Sequence, residues 1–83
     1  MPNNKKILRF TASWCSPCKM LSKNLEAANL NIPIEVIDID AFPDIAAEYS
    51  IRSVPVLVLK DGPLETRLVG LQTVTKIKLW ALS

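Results

Sequence analysis

The chain has 83 residues, 49% of them hydrophobic, with 10 Lys and Arg against 8 Asp and Glu and a net charge of +2, which fits one domain over residues 1–83 whose elements share a single core. It is too apolar for a disordered chain, and its cations are too evenly spread to favour a nucleic acid or a membrane surface as partner. No apolar stretch approaches the ~20 residues of a membrane helix, and Ile7-Leu8-Arg9-Phe10 after Lys5 and Lys6 is too short and too charged for a signal-peptide core, so a cytoplasmic location is expected.

Residues 1–5 are polar and predict a frayed end. Ile7 to Thr11 is a short apolar run that predicts a buried strand, with Ile7, Arg9 and Thr11 on one face and Leu8 and Phe10 on the other. A helix follows, because Cys18, Leu21, Leu25 and Ala28 recur at spacings of three and four. Ser16 can act as N-cap with Pro17 at the first helical position, or the helix can start a residue or two earlier. Asn29 to Pro33 breaks that pattern, and Ile34 to Ile39, rich in β-branched residues, predicts a second strand. A strand, a helix and a strand in this order make a βαβ unit, so the two strands are expected to be parallel.

Pro43-Asp44 opens a short helix to about Tyr49. Val54 to Leu59 is the most β-prone stretch, Asp61-Gly62 is a turn signal, and Leu64 to Val69 returns as the second strand of a hairpin. Glu65 and Arg67 on that strand discourage edge-to-edge pairing. Gly70 ends it. Thr73 is the expected N-cap of a last helix, with Val74, Ile77, Trp80 and Ala81 facing inward. The predicted fold is α/β, a four-stranded mixed sheet with three helices in the order β-α-β-α-β-β-α.

Cys15 and Cys18 are the only cysteines, and the chain has no histidine. They stand in Trp14-Cys15-Ser16-Pro17-Cys18-Lys19, at the junction of the first strand and first helix. There the first sulfur meets the unpaired amides and positive dipole end of the helix, which favour a thiolate. The second sulfur lies one turn on, within reach of a mixed disulfide. Cys15 is therefore expected to be the nucleophile and Cys18 the resolving thiol. The competing readings are inert buried thiols or a zinc half-site, but zinc needs four ligands and only two cysteines are present. No metal or other cofactor is expected. Trp14, beside the nucleophile, is expected to be an exposed partner-contacting ring, and Trp80 a core residue. Pro55 interrupts a strand-like run, where it is either a trans proline at the strand start or a cis proline exposing the backbone of Val54.

Together these segments resemble the thioredoxin superfamily: Trp14 to Lys19, Ile37-Asp38-Ile39-Asp40, Tyr49-Ser50-Ile51-Arg52-Ser53-Val54-Pro55, and Val69-Gly70. The resemblance implies a thioredoxin-like fold, a redox-active Cys15-Cys18 pair, and a cis Val54-Pro55 bond against it. It also implies a substrate surface of Trp14, Ser16, Pro17, Val54, Pro55, Gly70 and Leu71. The implied activity is reduction of protein disulfides by a monomer recharged by a thioredoxin reductase or another dithiol. The motif resembles thioredoxins more than glutaredoxins, which usually carry a Tyr inside the motif and a Gly-Gly followed by Asp where this chain has Gly70-Leu71-Gln72-Thr73. The length is nevertheless glutaredoxin-like, so a glutathione-dependent reductase is the first alternative. A binding subunit with idle cysteines is the second. Three departures stand out. Ser16 replaces the common glycine, Arg9 stands where thioredoxins commonly bury an aspartate, and Val36 stands where they often have a lysine. Arg9 is accordingly a candidate for tuning the thiol pKa, and is expected to pair with a carboxylate or reach water along its stem.

Overall fold

The computed structural model describes residues 4–82. Its elements are β1 (Lys5–Thr11), α1 (Ser16–Ala28), β2 (Ile34–Asp38), α2 (Pro43–Glu48), β3 (Val56–Asp61), β4 (Leu64–Val69) and α3 (Val74–Leu82). They form one four-stranded sheet in the order β2-β1-β3-β4. β1 pairs parallel with β2, as the helical crossover requires, and antiparallel with β3, while β3 and β4 form an antiparallel hairpin. This is the four-stranded mixed α/β sheet with three helices that the element order predicts, and it matches the fold the resemblance implies.

Alternation along β1 distributes its side chains between two cores. Ile7 joins Leu21 and Leu25 of α1, Leu57 of β3 and Ile77 of α3 on one face. Leu8 and Phe10 join Ile37, Val56 and Val58 on the other, with Ile45 and Tyr49 packed against them. β3 is buried from Val56 to Leu59, because it is a central strand with helices on both sides of the sheet. The sheet's two borders, β2 and β4, are mostly exposed.

The boundaries depart from the sequence expectations in physically simple ways. β1 begins at Lys5 rather than Ile7, because Lys5 and Lys6 pair with Asp61 and Lys60 across the sheet. The fraying expected for residues 1–3 lies outside the described residues. β2 ends at Asp38, whose Oδ1 accepts the amides of Asp40 at 2.8 Å and Ala41 at 3.4 Å and turns the chain. β3 starts at Val56 rather than Val54 and runs on to Asp61, directly opposite Leu64. The tight loop between them needs a positive φ first, which Gly62 supplies at +60°, and Pro63 then tolerates only the negative φ that follows.

Candidate active site

α1 begins with its nucleophile as its cap. The cap is Cys15, not Ser16: its backbone is extended (φ −99°, ψ 104°), and its Sγ accepts the amide of Cys18 at 3.2 Å. Ser16 is already helical, so its hydroxyl is not placed to take that amide, and Pro17, which lacks an N–H, fits the first turn without loss. Cys15 and Cys18 are joined in a disulfide, with Cα atoms 5.3 Å apart. Cys18 is 1% exposed and Cys15 5%, so the resolving sulfur is the deeper of the two. The pair packs with Ala12, Ile39 and Val54.

The surface around the disulfide comes from three separate parts of the chain. Trp14, next to Cys15 in the chain, is 67% exposed, and its indole Nε1 donates to Asp40 Oδ2 at 2.9 Å, which fixes the ring. Ser16 and Pro17 are exposed on the first turn of α1. Val54 places its carbonyl oxygen 3.8 Å from Cys15 Sγ, and the Val54-Pro55 bond is cis. The Pro55 carbonyl accepts the Gly70 amide at 2.9 Å, continuing the β3–β4 ladder one step past Val56 and Val69. Gly70 has a φ of +86°, and Leu71 beyond it is exposed. The fold thus brings the cysteines, Trp14, Val54, Pro55 and Gly70 together at one end of β1 and β3. Sequence reasoning did not pick out Asp40 as the partner of Trp14, although Asp40 ends one of the quoted motif segments.

Arg9 lies behind this surface. It is half-buried and lines a cavity of about 360 Å³ together with Cys18, Asp38, Lys19, Lys23 and Ser22. Among the described residues it forms no ion pair, and it is partly open to solvent. Burial lowers its pKa from the usual arginine value, but a guanidinium remains charged at working pH. A larger cavity, about 450 Å³, opens on the α2 face near Leu8, Ile45 and Tyr49, toward the opposite end of β1. Among the described residues no group of three or more His, Cys, Asp or Glu side chains is placed to hold a metal ion.

The thioredoxin family model matches residues 1–82. A thioredoxin from Chlamydia trachomatis is 46% identical over 70 residues, covering 80% of this chain and 69% of the relative. Mitochondrial thioredoxin-3 of Saccharomyces cerevisiae is 38% identical over 72 residues, covering 82% of this chain and 57% of its own length. Among solved structures, a mutant thioredoxin from Halobacterium salinarum superposes with a TM-score of 0.86 at 32% identity, covering 95% of this chain and 73% of that one.

Proposed function

Because the chain belongs to the thioredoxin family and is a thiol–disulfide oxidoreductase, we propose that it reduces disulfides in protein substrates, with Cys15 attacking and Cys18 resolving. The observation that carries this order is the placement of Cys15 Sγ at the helix start, taking the Cys18 amide, with Cys18 beneath it. An amide that donates to a sulfur favours the thiolate over the thiol, and the helix dipole acts in the same direction.

The reaction is a two-step exchange. The Cys15 thiolate bonds to one sulfur of the substrate disulfide, and the other substrate sulfur leaves as a thiolate. Cys18, deprotonated, then bonds to Cys15 Sγ and expels the second substrate thiolate. Two electrons pass from the dithiol to the substrate, leaving the Cys15–Cys18 disulfide seen in this structure. An extended substrate segment would lie along Val54 and Leu71 and against the Trp14 ring, with main-chain hydrogen bonds supplying most of the docking. We assign recharging to a thioredoxin reductase, and work as a monomer in the reducing cytoplasm, where such a pair persists as a dithiol.

The donor is tested by supplying thioredoxin reductase with NADPH, or glutathione with its own reductase, and following reduction of insulin. Turnover with thioredoxin reductase is expected. Turnover with glutathione alone would move the assignment to a glutaredoxin-like cycle, and none with either donor would point to a binding subunit.

A further inference from the structure

Asn24 stands on α1 between Leu21 and Leu25, both buried, and is itself half-buried. Asparagine is a poor residue for a helix interior, because its carboxamide competes for backbone partners elsewhere. Here the carboxamide has a specific task across the molecule. Its Nδ2 donates to the carbonyl oxygen of Gln72 at 2.9 Å, over a sequence separation of 48.

Gln72 belongs to the irregular segment between β4 and α3, which carries Leu71. Two other hydrogen bonds shape this segment: the Gly70 amide to the Pro55 carbonyl at 2.9 Å, and Gln72 Nε2 to the Val69 carbonyl at 2.8 Å. Neither reaches α1. Gly70 is held to Pro55, the residue after Val54, whose carbonyl lies 3.8 Å from Cys15 Sγ, so Leu71 follows directly on a residue anchored beside the disulfide. The helix that holds the cysteines therefore also holds the Leu71 segment, through Asn24, roughly 13 Å further along its axis at 1.5 Å per residue.

We propose that Asn24 is a positioning residue for protein substrates: it fixes the Gly70–Gln72 segment relative to the disulfide, so that an extended disulfide-bearing segment meets Leu71 and Cys15 in one register. This rests on the dithiol reading above. A protein substrate needs that register because it docks through its main chain. A small aromatic disulfide needs only the sulfur.

The test compares reduced wild type with Asn24→Asp, which is nearly isosteric but turns an acceptor toward the Gln72 carbonyl, and with Asn24→Leu, which removes the donor and suits the helix. Single-turnover rate constants are measured against insulin and against dithiobis(nitrobenzoate), well below the melting temperature. In both variants the insulin rate is expected to fall about three- to tenfold, as loss of one hydrogen bond predicts, with the small-disulfide rate within twofold of wild type. If either variant folds and keeps the wild-type ratio of the two rates, whether both hold or both fall together, Asn24 is only structural and the proposal is overturned. Wild type failing to reduce the small disulfide would instead overturn the dithiol reading itself.

Discussion

At the scale of residues, the chemistry follows from where two sulfurs sit on one helix. Cys15 caps it and Cys18 lies inside its first turn, so replacing Cys18 with serine removes the resolving thiol and leaves the attacking one. Cys18→Ser is expected to accumulate mixed disulfides with insulin, joined through Cys15 and visible on non-reducing gels, whereas Cys15→Ser is expected to form none. Adducts formed by Cys15→Ser would reverse the assignment. Arg9 is the other residue with a chemical consequence. It shares a cavity with Cys18, and a nearby positive charge lowers the pKa of a thiol by stabilising the thiolate. Removing the charge in Arg9→Leu is expected to raise the Cys18 pKa, measured by thiolate absorbance at 240 nm. The sign sets the pH dependence: resolution in the variant slows most below the raised pKa and recovers above it. An unchanged titration in the folded variant would reduce Arg9 to a packing residue. The cysteine pair and Arg9 were legible in the sequence because motif and strand alternation need only neighbours. The Trp14–Asp40 and Asn24–Gln72 contacts were not, since they join residues that only the folded chain brings together.

At the scale of elements, apolar periodicity, β-branched content and turn or cap residues together identified every helix and strand, and most errors fell at ends, where a single hydrogen bond decides. Thr73 was readable as a cap, and its Oγ1 does accept the Lys76 amide at 3.1 Å. Thr73→Ala is expected to lower unfolding stability by about 1 kcal/mol in urea titration, and an unchanged midpoint would show that tertiary packing alone fixes the start of α3. For α1 the sequence favoured Ser16, since hydroxyls are better caps than thiols, yet the helix starts one residue earlier and puts a sulfur at the cap. That local choice exchanges the better cap for a reactive one. β2 forms where its β-branched residues predict a strand. Ile34 and Val36 on it are 40% and 52% exposed because β2 borders the sheet. Strand order is set by long-range pairing: Glu65 and Arg67 fit the border position of β4, whereas the apolar Ile34 and Val36 give no sign of that of β2.

At the scale of the whole molecule, a small sheet positions the site by using its two central strands as both core and platform. β1 and β3 fill the interior with Ile7, Phe10, Leu57 and Val58, all fully buried, and the segments that follow β1 and precede β3 carry Trp14, Cys15, Val54 and Pro55. A domain of this size has only several kcal/mol of net stability. Leu57→Ala, at the centre of the larger core, is expected to remove about 3 kcal/mol and leave the fold marginal, with the melting temperature measured by circular dichroism falling by well over 10 °C. A loss below about 1 kcal/mol would mean that the core around Leu57 repacks to fill the space its side chain leaves. The central claim is that Cys15 and Cys18 together hand two electrons to a protein disulfide. It is tested most directly by mixing the fully reduced protein with insulin under anaerobic conditions and weighing the intact protein by mass spectrometry. The account predicts a product two hydrogens lighter, carrying a Cys15–Cys18 disulfide, with two insulin thiols appearing for each molecule oxidised. An unchanged mass, or insulin thiols appearing equally with Cys15→Ser, would contradict it.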